Sequence, residues 1–223
     1  MLSIGQPYMP SMSASCCGPE ADPDRHRGDR GYRRVLWAVL SINAAMFAIE
    51  LASGLAAGSA ALQADALDFL ADSANYGISL FVAGMMLRYR ARAALAKGAT
   101  MAVLGTWVLG ITAWHGLHGT LPGAFIMGTV GFAALAANGV SFALLWRYRG
   151  GDANMRSAWV CTRNDVVGNL AVLVAAAGVF GTGTGWPDLI VAAVMAGLAL
   201  QGAATVIRQA KGELRGLPSA AAE

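Results

Sequence analysis

The feature that most constrains this chain is a series of six apolar runs, each long enough to cross a lipid bilayer. A helical span needs about 20 predominantly apolar residues to cover roughly 30 Å of hydrocarbon. The runs lie at about 35–57, 62–87, 99–117, 122–146, 157–180 and 187–207. The breaks between them carry turn residues: Gly58-Ser59, Lys97-Gly98, Pro122-Gly123, Gly150-Gly151-Asp152 and a Gly-rich stretch ending at Pro187. We therefore predict an all-α membrane protein with six transmembrane helices.

The positions of the basic residues predict how the helices are oriented. With six spans, nearly all Lys and Arg residues precede span 1, follow span 6, or lie between spans 2 and 3 or spans 4 and 5, and only Arg163 lies within a span. Those segments share one side of the membrane, which the positive-inside rule makes cytoplasmic. We expect both termini in the cytoplasm and a multi-pass protein of the cytoplasmic (inner) membrane. The net charge of +3 then reflects topology, so no nucleic-acid partner is predicted.

Composition divides the chain into three parts. Residues 1–32, rich in Pro, Gly, Ser, Asp and Arg, predict a disordered cytoplasmic tail. Residues 33–210 form the predicted transmembrane domain, and 211–223 a short cytoplasmic tail. Cys16, Cys17 and His26 in the first part are candidates for cytoplasmic metal capture, although an inert tail explains them equally well.

Acidic residues inside the apolar spans are the main functional signal. A charged side chain at mid-bilayer costs about 2.5–3.5 kcal/mol and usually faces a bundle interior or an aqueous cavity. Spans 1, 2 and 5 contain five such residues: Glu50, Asp65, Asp68, Asp72 and Asp165. No Lys falls within the predicted spans to neutralise them. A cation from outside the chain is therefore the predicted partner.

The spacing of these acids predicts a metal site. Asp68 and Asp72 lie four residues apart on one helix face, and Cys161 and Asp165 share that spacing in span 5. Together they offer three carboxylates and one thiolate, a set that suits a tetrahedral divalent ion. Further candidates for supporting or pathway roles are Asp65, Asn164, Asn169 and Glu50. For Glu50 we expect a mainly structural role. His115 and His118 are candidates for an exit route or for ordinary interfacial histidines.

The stretch "FAIELASGLAAGSAALQADALDFLAD" resembles the signature region of the cation diffusion facilitator family. "CTRND" is similar to the second family motif, and "GWPDLIVAAVMAGLAL" to the start of its sixth helix. Membership implies a homodimeric antiporter, not an enzyme, that exports Zn²⁺, Cd²⁺ or a similar divalent ion in exchange for protons and needs no cofactor. Cys161 stands where many members have His or Asp, which favours softer metals. With only about 16 residues after span 6, we expect a short form without the usual C-terminal cytoplasmic domain.

Two other functions remain open at this stage. An intramembrane metal-dependent lipid head-group transferase also places Asp residues on adjacent helices, but the stretch after Asp72 has no Arg before Arg88 to bind a substrate phosphate. A passive cation channel is the second alternative. Four convergent ligands would hold a metal too tightly for fast passive flow, which favours stepwise exchange.

Overall fold

A computed structural model describes residues 30–81, 86–146 and 153–216, without the side chains of Leu87, 153–164 and Gly216. The described residues form six α-helices and no strands. The helices are α1 (Arg30–Ala57), α2 (Ala60–Phe81), α3 (Leu87–His118), α4 (Ala124–Trp146), α5 (Ala153–Thr182) and α6 (Trp186–Gly216). The all-helical prediction is therefore confirmed, and the predicted tail up to residue 29, with Cys16, Cys17 and His26, lies outside the described residues.

Turn chemistry fixes three of the helix ends. Gly58, Gly119 and Gly183 each have a φ near +60°, which ends α1, α3 and α5 without steric cost. Ser59 follows Gly58 directly and caps α2, because its Oγ accepts a hydrogen bond from the Leu62 N–H at 3.1 Å. The predicted break at Gly58-Ser59 therefore has a clear physical basis, whereas the one at Gly150-Gly151-Asp152 lies outside the described residues.

The predicted break at Lys97-Gly98 is wrong, because α3 runs without interruption from Leu87 to His118. Gly98 instead allows α3 to pack closely against α6: a Cβ atom there would lie 2.8 Å from Ile207 Cγ1. Glycine in this helix interior thus serves close packing between helices. The basic residues from Arg88 to Lys97, expected in a loop, belong to the first turns of α3. Helix α6 likewise extends to Gly216, beyond the predicted domain end at 210.

One end of the bundle, here called the capped end, gathers residues 57–61, 119–123 and 183–188. The Gly123 N–H donates to the Ala57 carbonyl at 2.9 Å, joining the start of α4 to the end of α1. A Cβ atom on Gly185 would clash with the Thr120 carbonyl oxygen, so the α5–α6 and α3–α4 connections lie in contact. The ends of α1, α3 and α5 therefore meet the starts of α2, α4 and α6.

The outward surface of the bundle is strongly apolar. Phe180 and Phe125 are 86% and 83% exposed, and many other large hydrophobic side chains on α1 and α3–α6 are also exposed. Five helices, α1 and α3–α6, are long and apolar enough to cross a membrane. Helix α2 packs against α1, α3, α5 and α6, and its first turns, residues 60–67, are entirely buried. Its 22 residues give about 33 Å of helix, enough to span the hydrocarbon.

Candidate metal-transport site

The acids of α2 face helix α5 at Gly168. Asp65 is fully buried, Asp72 is nearly so, and Asp68 is partly buried. A Cβ atom on Gly168 would lie 3.7 Å from Asp68 Oδ2 and 3.8 Å from Asp65 Oδ1. These are ordinary contact distances, so the backbone of α5 at Gly168 lies directly against the carboxylates of α2. The three-residue and four-residue spacing along α2 directs these groups to the same neighbouring helix.

The second pair of acids meets one turn further along the two helices. The carboxyl groups of Asp72 and Asp165 lie within hydrogen-bonding reach of each other. The Tyr76 hydroxyl donates to Asp72 Oδ2 at 3.2 Å, which orients that carboxylate. Two adjacent carboxyl groups in a helix bundle repel when both are ionised, so a proton or a metal ion between them is strongly favoured.

Three of the four predicted ligands thus lie along the contact between α2 and α5. Position 161 belongs to α5, one turn before Asp165, but the side chains of Cys161 and Asn164 lie outside the described residues. Among the side chains that are described, no three His, Cys, Asp or Glu groups converge closely enough to hold a metal together. The described part of the site is therefore built from facing carboxylate pairs.

A row of buried polar side chains continues from Asp65 across α5 to α4. The Asn169 amide donates to Asp65 Oδ2 at 2.8 Å, and the Asn138 amide donates to Asn169 Oδ1 at 2.8 Å. The row orients Asp65 and holds its Oδ2 atom as an acceptor. Asn169 was a sequence candidate, whereas Asn138 was missed. The signal was present, since Asn138 is a lone amide in the apolar stretch "FAALAANGVSFALL".

Glu50 of α1 approaches the same row from the other side. Its side chain is completely buried and lies within hydrogen-bonding reach of Asp65. Neither carboxylate oxygen of Glu50 has a donor among the described residues. Since two carboxylates can only accept, a single proton shared between Glu50 and Asp65 would convert this contact into a hydrogen bond. Glu50 thus adjoins the α2 acids.

Lys97 changes the charge balance predicted for the site. It was assigned to a loop, and the spans were expected to contain no lysine, but it lies in α3 and is only 9% exposed. Its Nζ atom donates to Asn75 Oδ1 on α2. The Asp72 carboxylate lies within the electrostatic reach of this ammonium group. Lys97 is therefore an internal cation beside the acids of α2.

Asp188 is a functional candidate that the sequence analysis missed. It lies in the first turn of α6 but accepts hydrogen bonds from the start of α2: from Ser59 Oγ at 2.6 Å and from the Ala60 and Ala61 amides at 2.9 and 3.0 Å. A carboxylate at a helix N-terminus is favoured by both the free amides and the helix dipole. Asp188 therefore caps α2 from another helix and fixes the acid-bearing helix to α6.

The two histidines near the capped end have different surroundings. His115 lines a cavity of about 260 Å³ together with residues of the α3–α4 and α5–α6 connections, and it lies within electrostatic reach of Asp188. The exposed His118 stacks on Trp114 with ring centroids 3.8 Å apart, and its Nδ1 lies 2.9 Å from the Trp114 carbonyl. His118 thus resembles an ordinary surface histidine, while His115 borders an open space.

The bundle and its buried acids define a class of protein, a helical membrane transporter for cations. Residues 36–214 match the family described as the cation efflux transmembrane domain. The chain therefore belongs to the cation efflux, or cation diffusion facilitator, family, which confirms the resemblance seen in the sequence. It is an integral multi-pass membrane protein that carries metal cations outward, and the family's members are transporters and not enzymes. No curated protein matches the chain.

Proposed function

We propose that this protein exports Zn²⁺ or Cd²⁺ from the cytoplasm in exchange for protons. The observation that carries the proposal is the contact between α2 and α5, where Asp72 meets Asp165 and Asp68 lies against Gly168. Cys161 precedes Asp165 by four residues in the sequence, and the proposal adds its thiolate to the set on that spacing. Asp68, Asp72, Cys161 and Asp165 are the proposed ligands, with Asp65, Asn169 and Asn138 supporting them.

Proton exchange follows from the chemistry of these ligands. A metal ion binds carboxylates and thiolates only when they are deprotonated, so metal binding releases protons and protonation releases metal. A sulfur ligand favours softer ions such as Cd²⁺ and Zn²⁺ over Mn²⁺. Rocking of helix groups around a fixed site would then expose the bound ion or the protons to each side in turn.

The proposed orientation places the end opposite the capped end in the cytoplasm. The basic residues described there begin α1 and α3 and end α6, and the positive-inside rule assigns that end to the cytoplasm. Both termini then lie inside, and the cytoplasmic membrane is the proposed location. A homodimer is part of the proposal because the family resemblance implies it.

The decisive experiment measures metal uptake into proteoliposomes under an imposed pH gradient, comparing Zn²⁺, Cd²⁺, Co²⁺ and Mn²⁺. We expect Zn²⁺ or Cd²⁺ flux that rises with the gradient and is lost in Asp68→Ala, with the variant still inserted in the membrane. Glu213→Gln, which removes an acid near the end of α6 and away from the site, should transport normally. Flux independent of the gradient would support a channel, and lipid turnover without flux would support a transferase.

Cys161 provides a separate test of metal choice. Cys161→Ser replaces a soft thiolate by a hard hydroxyl at the same position. We expect Cd²⁺ transport to fall more than Zn²⁺ transport, because Cd²⁺ prefers sulfur more strongly. An unchanged ratio of Cd²⁺ to Zn²⁺ flux would remove Cys161 from the ligand set.

A further inference from the structure

A buried lysine beside the proposed metal ligands has a role that the transport proposal does not yet assign. Lys97 projects from α3 toward α2, where its Nζ atom donates to Asn75 Oδ1. Asn75 lies three residues after Asp72, and the Asp72 carboxylate is within electrostatic reach of Lys97. The lysine thus contacts α2 on the same stretch that presents Asp72 to Asp165.

The position of this ammonium group is unusual for a lysine in a membrane protein. Lysines near helix ends normally extend their long side chain to the interface. Lys97 lies ten residues into α3, after the exposed Arg88 and Arg92, and is only 9% exposed itself. Burial of a charge is costly unless nearby groups compensate for it. The amide oxygen of Asn75 and the field of Asp72 provide that compensation.

A fixed positive charge beside a metal ligand weakens the binding of a metal cation. A nearby ammonium group offsets part of the negative charge of a carboxylate. The attraction between that carboxylate and a divalent ion is therefore weaker. Salt screens this effect poorly because the groups are buried. A transporter benefits from such weakening, since an ion held too tightly by several carboxylates and a thiolate leaves slowly.

We propose that Lys97 is a tethered cation that competes with the transported metal at Asp72 and thereby accelerates metal release. Asn75 holds the ammonium group beside Asp72 and shares it with that carboxylate. This inference rests on the proposed transport function. It gives Lys97 an electrostatic role beside the site and not the role of a metal ligand. It predicts that affinity and turnover change in opposite senses when the charge is removed.

The test is the metal dependence of Zn²⁺ uptake into proteoliposomes for wild-type protein and Lys97 variants. Lys97→Gln should lower KM about tenfold, within the range usual for coupling between neighbouring binding events, and should also lower kcat because release becomes slow. Lys97→Arg keeps the charge and should retain a KM near that of the wild type. Arg92→Gln removes an exposed positive charge from the same helix and should leave both constants unchanged.

Asn75→Ala gives a prediction in the opposite direction and does not depend on the folding of Lys97→Gln. Without the amide oxygen, Asp72 is the remaining acceptor for the ammonium group, so competition increases and KM should rise severalfold. An unchanged or higher KM in Lys97→Gln, or an unchanged or lower KM in Asn75→Ala, would overturn the inference. If wild-type protein transports no Zn²⁺ under a pH gradient, the transport proposal itself fails.

Discussion

Asp188 caps α2, and the loss of stability on its removal can be worked out from its individual hydrogen bonds. Its carboxylate accepts from Ser59 Oγ and from the Ala60 and Ala61 amides, all within 3.0 Å. A hydrogen bond to a charged group contributes about 1.5–3 kcal/mol, and loss of a helix cap alone costs about 0.5–2 kcal/mol. Water that enters the space left by the removed carboxylate would rehydrate part of these donors, so Asp188→Ala should cost about 3–5 kcal/mol of stability.

The conservative variant Asp188→Asn should cost less, for a reason visible in the geometry. An amide oxygen at the position of Oδ1 keeps the bonds from Ser59 and the Ala61 amide, whereas an NH₂ group at Oδ2 faces the Ala60 N–H. One bond is lost and a donor meets a donor, so we expect a loss of about 1–2 kcal/mol. Asp188→Asn therefore tests the bond from the Ala60 amide and the negative charge, whereas Asp188→Ala tests the whole side chain.

The assay is thermal unfolding of purified protein in detergent, followed by intrinsic fluorescence. For a chain of this size, each kcal/mol shifts the midpoint by about 2–4 °C, so Asp188→Ala should unfold roughly 10 °C below wild type. Thr106→Ala removes an exposed hydroxyl that bonds only to the Ala102 carbonyl of its own helix, and it serves as the control with little expected shift. A midpoint for Asp188→Ala within 2 °C of the Thr106→Ala control would refute the assignment of Asp188 as the cap.

Two further predictions test helix packing and the polar row. Gly98→Val should reduce stability by about 2 kcal/mol or more, because its Cβ would lie 2.8 Å from Ile207. Gly110→Val places its side chain in open space and should leave the stability unchanged. An equal shift in unfolding temperature for the two variants would contradict this prediction. Asn169→Leu removes the 2.8 Å donor to Asp65, and we expect at least a tenfold loss of metal uptake affinity in proteoliposomes, as is usual for groups that orient metal ligands. An unchanged KM in that variant would exclude Asp65 from the site.

The helices could be predicted from the sequence because their lengths follow from apolar runs and their ends from local turn chemistry. The break at Gly58-Ser59 is an example, since a left-handed glycine and a serine cap are both local signals. The break predicted at Gly98 failed because that glycine serves contact with Ile207, more than a hundred residues away. A glycine that ends a helix and one that permits close packing are identical in sequence.

Those parts of the candidate site that depend on local spacing along a helix could also be predicted from the sequence. The spacing of Asp68 and Asp72 gave a shared helix face without knowledge of the fold, and the contact between Asp72 and Asp165 follows that prediction. Asp188 was missed because an acid in a first helical turn normally caps its own helix, and only the tertiary fold directs it to α2. Lys97 was misplaced because the span was drawn to begin after the last basic residue.

Helix α2 shows why the acids are tolerated at all. By composition, α2 is not apolar enough to be counted among the five membrane-crossing helices, because it contains three aspartates and Gln63. Yet it is also the helix that contacts α1, α3, α5 and α6, so amides, carboxyls and a lysine of the protein lie beside its polar groups. The cost of intramembrane charge is therefore reduced by enclosure within the bundle. Asp65 and Asp72 are buried in this way, so in the proposed transport cycle movement of the surrounding helices would give metal and protons access to them.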